Sequence, residues 1–400
     1  MGLALEARML SSIAWRVRAD QRARGAEPWT SGRGYGTAPD GDTVGGTLHN
    51  TKRMTPPPSF SQIFAELKSE RSMSPLVARR VFDTIFAGGW TPVQIGAFLV
   101  SLELLGLTSG VLGAAAKAMR ARMVELRHAL PLVFDTCGTG GDGKNTVNVS
   151  TGAAIIVAAA GVPVAKHGNR AASSRTGTAD VLGALGIPIE LPADASAEVL
   201  AEANITFMLA PEFHPAMKYA GPPRRELGIP TIFNAIGPLI NPASATHQLV
   251  GTFSDELRPV MAAALGTLGS QRAWVVRGED GLDEISPFAP TRVSTLRQGA
   301  VEERLISPED FGLPRSEPHA INGGDAQHNA AILLEVLHGK PHPSRNAFVL
   351  NAAASLVIAK ELSLREASEL ARQTIDTGRA RACFERWRAA AQARVGRSSS

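Results

Sequence analysis

The chain is 400 residues long, 44% hydrophobic, 20% charged and 5% aromatic, which excludes wholesale disorder and, at about 100–200 residues per domain, accommodates two or three folding units. Its formal charge of +4 is concentrated at the start: residues 1–53 hold eight Lys/Arg against five Asp/Glu and the remaining 347 hold 33 against 32, so the body offers no electrostatic argument for nucleic acid. Cys137 and Cys383 stand in no metal-ligand or disulfide spacing, and the longest apolar run, residues 152–165, is interrupted by Gly161 and Pro163 and is too short for a bilayer, so a cytoplasmic protein without a membrane span is expected.

Residues 3–24 have the pattern of a basic amphipathic helix, whereas residues 30–50 are Gly-rich and lack apolar periodicity. An import peptide or interaction arm is one reading. The plainer reading is an extension over residues 1–56, disordered or produced by an upstream start with Met54 as the working initiator. From residue 57 to about 126 the rhythm is helical: Phe60, Ile63, Phe64 and Leu67 fall on one helix face. Ser74-Pro75 and Thr91-Pro92 pair a capping hydroxyl with a proline suited to the first turn, and Gly88 and Gly106 sit where helix ends are expected. This predicts a bundle of about four short helices. From residue 130 short β-like runs (133–134, 162–165, 187–191, 207–208 and 273–276) alternate with helical ones, the signature of an α/β unit with a mostly parallel sheet.

Four clusters carry chemistry. Asp135 through Gly143 contains four glycines after an apolar strand, then Thr146, Asn148, Ser150 and Thr151, then a helix predicted over 152–160. Glycines let backbone amides converge on one phosphate, and a helix N-terminus adds free amides and partial positive charge; Ser150 or Thr151 as a helix cap is the competing role. The turn is neither a Walker A nor a dinucleotide fingerprint. Next, Lys166 through Ser174 follows a strand, placing a lysine where an α/β crevice receives phosphate, with a solvated surface loop as the alternative. In the stretch from His214 to Pro238, Arg224 and Arg225 offer guanidinium groups suited to a planar carboxylate through bidentate hydrogen bonds, with an exposed helix face as the alternative. Finally Asp283-Glu284 on a loop after a strand suits oxygen-ligated Mg²⁺ that shares substrate phosphates, with an acidic loop of no function as the alternative.

In the order GTGGDG, TVNVST, KHGNRAASS, HPAMK, RRELG, TIFN, NPA, DGLDEIS, SPEDFGL and GGDAQHNA, over about residues 60–390, these segments resemble the signatures of the anthranilate phosphoribosyltransferase family. The resemblance implies a nucleoside phosphorylase-like fold, with a small N-terminal helical domain (57–127 with about 213–240), a larger α/β domain (128–212 and 241–392) whose central mostly parallel sheet is flanked by helices, and a tail over 393–400. It implies PRPP contacts from Gly138, Gly141, Asp142, Thr146, Asn148, Val149, Ser150, Thr151, Lys166, His167, Gly168, Asn169, Arg170, Ala171, Ala172, Ser173, Ser174 and Thr178. Gly138, Asn169 and Arg224 are implied around anthranilate, and Ser150, Asp283 and Glu284 around Mg²⁺, two ions per subunit. A homodimer through the helical domain, anthranilate held between the two domains with hinge closure, and association with anthranilate synthase are further implications.

The chain departs from the family's pattern at Thr178, usually serine, and at Arg277, commonly histidine; both keep the chemistry and bear on donor affinity. The reaction expected is displacement of pyrophosphate at the anomeric carbon by the anthranilate amine. An aniline nitrogen is already neutral, so no acid or base is assigned: His167 reads as a holding group and Cys137 as packing. Alternatives are a nucleoside phosphorylase, a catalytically silent relative that binds nucleic acid, and a transferase for another aromatic acid. Asp135-Thr136-Cys137 in place of a Lys-His-Ser loop, and the acidic pair, speak against the first.

Overall fold

The computed structural model describes residues 59–170 and 176–396; the expected extension, including the helix proposed over 3–24, lies outside them. Four helices come first: α1 (Phe60–Glu70), α2 (Pro75–Phe86), α3 (Pro92–Leu105) and α4 (Ser109–Arg120). Ser74 and Thr91 accept the amides of Val77 and Gln94, each with proline at the first helical position. On α1, Ile63 and Leu67 are buried, but Phe64 is 46% exposed and stacks on Phe60.

The α/β part opens with β1 (Phe134–Gly138), α5 (Val149–Ala159), β2 (Val164–Gly168), α6 (Thr178–Ala184), α7 (Ala193–Ala203) and β3 (Ile205–Leu209). The chain then leaves the sheet through α8 (Ala210–Phe213), α9 (Gly221–Leu227) and α10 (Ile232–Ile236), of which α9 and α10 pack on α3 and α10 on α4 as well. It returns as β4 (His247–Gly251), α11 (Leu257–Thr267), β5 (Arg272–Gly278), the hairpin β6 (Thr291–Arg297) and β7 (Ala300–Ile306), and finally α12 (Ala326–Leu337), α13 (Arg345–Lys360), α14 (Leu364–Asp376) and α15 (Arg379–Gln392).

The seven strands lie in the order β3-β2-β1-β4-β5-β6-β7, the first five parallel and the last two antiparallel. Two-residue alternation along the strands feeds separate cores. Trp274 and Val276 of β5 face α5, α12, α13 and α15, while Ala273 and Val275 face α11 and the helical bundle. The bundle's apolar core thus continues onto the sheet through Val250, Val260 and Leu265. Among the described residues no single helix is long and apolar enough to cross a membrane.

Two expectations need correction, and one parallel strand was not expected at all. Residues 187–191 form no strand: Pro188 and Pro192 cannot donate to a ladder, and Ile187 and Leu191 turn into the core from a connection between α6 and α7. The helix after the glycine loop starts at Val149 rather than 152, with Asn148 in the cap position, so Ser150 and Thr151 lie inside its first turn. β4 is absent from the expected strands; its first residues, His247 and Gln248, are polar yet buried, with Gln248 Nε2 donating to the Pro238 carbonyl, Ser270 Oγ donating to Gln248 Oε1, and His247 Nδ1 bonded to Thr246 Oγ1.

α5 approaches α13 closely at Gly152, where an added Cβ would lie 2.4 Å from Phe348 Cδ1 and 2.8 Å from Leu333 Cδ1. Alanine's better helix propensity is worth only ~1 kcal/mol, whereas overpacking costs about 1–3 kcal/mol. Gly152→Ala is therefore expected to lower the urea midpoint; a raised midpoint would show that this contact relaxes freely.

Candidate active site

β1 and β4 are neighbours although the chain runs from β1 outward to β3 before returning, so strand order reverses between them. In open α/β sheets ligands bind at the carboxyl ends of the strands at such a switch point. Three predicted clusters converge there. The glycine loop leaves β1 with Gly140 at φ 65° and Gly141 at φ 87°, conformations that let loop amides turn toward an anionic group. It ends in the first turn of α5. The loop is braced from behind: Val147 N donates to the Ile321 carbonyl (2.9 Å), Gly323 N to the Asn145 carbonyl (2.8 Å), and Asn329 Nδ2 to Asn148 Oδ1 (3.0 Å).

Asp283 and Glu284 follow β5 and lean over the ends of β1 and β4. Gly140 N donates to Asp283 Oδ2 (2.9 Å) and Ser150 N to Glu284 Oε1 (3.2 Å), so both carboxylates sit at the loop and the helix start. A Cβ at Gly138 would meet Asp283 Oδ2 at 2.8 Å. Both acids are held above their ordinary range, first by desolvation, then by like charge: Asp142 acting on Asp283, and Asp283 on Glu284. Asp142 Oδ2 is a buried carboxylate oxygen without a partner. Asp142, Asp283, Glu284 and Ser150 bring oxygen donors to one place, and among the described residues no cluster of three or more acidic, His or Cys ligands is already gathered at metal-binding distance.

Lys166 is 2% exposed, so the solvated-charge alternative does not hold for this lysine. Its ammonium donates to the Thr136 carbonyl and to Ser150 Oγ (3.2 Å), and its charge opposes the upward shifts of Asp135 and Glu284. Asp135 is fully buried and raised to about 6, chiefly by desolvation. It accepts from His167 N (3.2 Å) and Asn241 Nδ2 (2.7 Å), tying β2 and the approach to β4 onto β1.

His167 Nδ1 faces the Gly237 carbonyl at 3.2 Å, and its Nε2 meets His214 Nε2 at 3.1 Å. A carbonyl only accepts, so His167 carries its proton on Nδ1 and His214 donates from Nε2. His214 Nδ1 is then a buried lone pair without a partner. Burial holds His167 down at about 4 and His214 at about 2. The pair is neutral at pH 7 and joins the end of β2 to the excursion carrying Arg224, which fits the holding role expected for His167. Cys137 also behaves as expected, its thiol pushed up by desolvation first and Asp135 second.

Other predicted residues stand apart from this cluster. Asn169 and Arg170 are exposed, and Arg170 pairs with Glu190 (3.0 Å) and Asp180 (3.7 Å). Thr178 begins α6, 3.6 Å from where a Cβ on Gly168 would lie. Thr151 Oγ1 is buried without a partner. Ala171, Ala172, Ser173 and Ser174 lie outside the described residues. Arg224 is half-buried on α9, and among the described residues its guanidinium meets no carboxylate within ion-pair distance. Arg277 donates to the Thr252 and Phe253 carbonyls, fastening the turn after β4. The sequence reading gave no role to Asn241 and Asn329, which lie inside the NPA and GGDAQHNA segments, and missed Gly251 and Asn351, whose only signal is a glycine or amide inside an apolar run.

The chain matches the Glycosyl transferase family, a/b domain, over residues 130–381, and the Glycosyl transferase family, helical bundle domain, over residues 61–123. It is 49% identical over 311 residues to anthranilate phosphoribosyltransferase of Moorella thermoacetica, covering 78% of this chain and 92% of that one. Among solved structures it is similar to anthranilate phosphoribosyltransferase from Thermus thermophilus (TM-score 0.78, 40% identity, 82% of this chain and 98% of that one). It is also similar to the Saccharomyces cerevisiae enzyme in complex with PRPP and Mg (TM-score 0.77, 28% identity, 84% and 99%).

The histidine pair has a consequence for stability. An unfolded imidazole takes up a proton as pH falls through about 6.5, but the folded pair resists to about 4 and below, so this pair costs stability as pH falls over that window. Asp135, raised to about 6, pulls the opposite way, so the test compares variants. Between pH 7 and pH 5, His214→Phe is expected to lose less urea stability than wild type; an equal change would remove the pair as the source.

Proposed function

The chain belongs to the anthranilate phosphoribosyltransferase family, and from that membership we propose how its residues divide the reaction. It transfers the phosphoribosyl group of PRPP to the amine of anthranilate in tryptophan biosynthesis, giving N-(5-phosphoribosyl)anthranilate and pyrophosphate, and it uses Mg²⁺. The observation that carries the assignment of its site is the convergence, at the switch point, of a glycine loop and a helix start with a buried acidic pair, Gly140 N meeting Asp283 and Ser150 N meeting Glu284.

Gly138, Gly141, Asp142, Thr146, Asn148, Val149, Ser150 and Thr151 line the donor's phosphates on this reading, with Lys166, His167 and Gly168 beneath them and Asn169, Arg170 and Thr178 at the rim; the assignment to the donor also takes in Ala171, Ala172, Ser173 and Ser174. The oxygen-only donors, the raised carboxylates and the unpartnered Asp142 Oδ2 fit a hard divalent cation. Asp283, Glu284 and Ser150 would hold it, with two ions per subunit. Bound there, Mg²⁺ supplies neutralisation of the negative charge on pyrophosphate.

In the reaction the anthranilate nitrogen lone pair forms a bond to the anomeric carbon as the carbon–oxygen bond to pyrophosphate breaks. The electron pair leaves on pyrophosphate, and the ammonium product then loses a proton to solvent. The residues orient the two substrates and stabilise departing negative charge through loop amides and the α5 N-terminus. Lys166, pinned to Thr136 and Ser150, acts by fixing the helix start and offsetting the acids. Neutral His167 and His214 hold the donor loop against the excursion that carries Arg224, whose half-buried guanidinium is assigned to the anthranilate carboxylate, with Gly138 and Asn169 nearby.

Residues 57–127 with about 213–240 form the helical part and residues 128–212 and 241–392 the α/β part on this reading, with anthranilate between them and closure by a hinge. The same reading makes the protein a cytoplasmic homodimer that associates with anthranilate synthase.

Three outcomes test the assignments. Asp283→Ala/Glu284→Ala should abolish Mg²⁺-dependent turnover while far-UV circular dichroism stays unchanged; a wild-type Mg²⁺ profile would remove these acids from the site. Arg224→Ala should raise the anthranilate KM by the equivalent of about 1.5–3 kcal/mol, the worth of a charged hydrogen bond, with the PRPP KM little changed. Selective loss of PRPP affinity would instead move the acceptor elsewhere. Because protons and Mg²⁺ compete for carboxylates held above their ordinary range, Mg²⁺ should raise the melting temperature more at pH 8 than at pH 5.5; equal shifts would contradict the competition.

A further inference from the structure

The Asp283–Glu284 loop is held by two residues outside the acidic motif, Gly251 and Asn351. Gly251 ends β4 and is paired in register with Gly138 of β1 on one side and Val276 of β5 on the other. A Cβ built there would lie 1.5 Å from the Asp283 carbonyl oxygen, 2.5 Å from its carbonyl carbon and 3.3 Å from its Cα. These are backbone atoms, so no rotamer change relieves the overlap; either the sheet or the loop must move. The sheet is anchored by parallel pairing on both sides.

The loop has little slack to give. Its start is closed by Gly278 N donating to the Leu282 carbonyl at 2.9 Å. Its end is held by Asn351, fully buried in the middle of α13. The Asn351 side chain accepts from Ile285 N at 3.0 Å and donates from Nδ2 to the Ile285 carbonyl at 3.1 Å, with a third bond to the Ala347 carbonyl at 3.0 Å. One amide therefore satisfies both backbone groups of the residue after Glu284. The two acids lie between this clamp and the bare backbone of Gly251, with Asp283 Oδ2 over Gly138 and Glu284 Oε1 on the Ser150 amide.

We infer that Gly251 and Asn351 are positioning residues for the metal-binding acids: Gly251 sets how closely the loop approaches the ends of β1 and β4, and Asn351 sets its height and rotation. The inference rests on the metal reading of Asp283 and Glu284. Outer groups that orient metal ligands typically carry 10–100-fold in metal affinity, so displaced backbone should weaken the metal more than the fold.

The test measures binding separately from turnover in the full-length protein. Mn²⁺ as the probe is titrated by electron paramagnetic resonance in the presence of PRPP, and the concentration of Mg²⁺ giving half-maximal turnover is measured beside it. Gly251→Ala is expected to weaken Mn²⁺ binding and raise the Mg²⁺ requirement by about tenfold or more, with the anthranilate KM unchanged. Asn351→Leu, which removes both bonds to Ile285 without adding a clash at the strand end, is expected to shift both in the same direction and covers the case in which Gly251→Ala does not fold. Ile375→Ala, a buried position on α14 away from the loop, supplies a destabilised control whose metal titration should stay at wild type. Folded Gly251→Ala and Asn351→Leu proteins that melt earlier but bind Mn²⁺ like this control overturn the inference. If Asp283→Ala/Glu284→Ala also titrates like wild type, the metal reading itself fails and takes the inference with it.

Discussion

The site depends on one close approach: the backbone of Asp283 lies on the ends of two parallel strands, at the point where the sheet's order reverses. Side chains at Gly138 and Gly251 would occupy the space that the acidic loop needs. Because neither strand end carries a side chain there, two carboxylates reach the glycine loop and the first turn of α5, meeting the amides of Gly140 and Ser150. That arrangement concentrates negative charge: desolvation first, then Asp142 acting on Asp283 and Asp283 on Glu284, push both carboxyls above their ordinary range, with Lys166 opposing the shift of Glu284. A region poised in this way by its own backbone packing is strained electrostatically where it will bind charge, and the remaining architecture supports that strain.

The support is a buried polar network beneath the loops. Asp135 joins β1 to β2 through the His167 amide and to the approach to β4 through Asn241. His167 continues the network to Gly237 and His214, on the excursion that packs against the helical bundle. Each buried polar group left unpaired costs free energy, so the network specifies one relative placement of the donor loop and the Arg224 helix. The apolar core agrees with it: residues of α11 and β5 belong to the same cluster as the bundle, which couples the helical part to the sheet face rather than leaving it on a linker.

Much of this is legible in the sequence, and the parts that are not share a cause. Caps at Ser74 and Thr91 declare themselves because their chemistry is local. Gly140 and Gly141 take the positive φ that a phosphate loop requires. Residues 187–191 mislead because burial of Ile187 and Leu191 imitates a strand while Pro188 and Pro192 forbid its pairing. β4 is hidden for the converse reason, since His247 and Gln248 are buried by partners distant in sequence. Lys166 reads in the sequence as a lysine at the phosphate crevice, and its enclosure beneath the helix start, on Thr136 and Ser150, shows only in three dimensions. Gly251 and Asn351 carry no motif because their roles are defined only by what crosses them in three dimensions.

The central claim is that the acidic pair and the glycine loop together make a metal-dependent phosphoribosyl transfer site. The most direct test is the loss of anthranilate fluorescence when PRPP is added to the purified full-length protein, in Mg²⁺ and again with EDTA in excess. Fluorescence that falls with Mg²⁺ and holds steady with EDTA is the predicted result. A steady signal in Mg²⁺, or an equal fall in EDTA, would contradict the account.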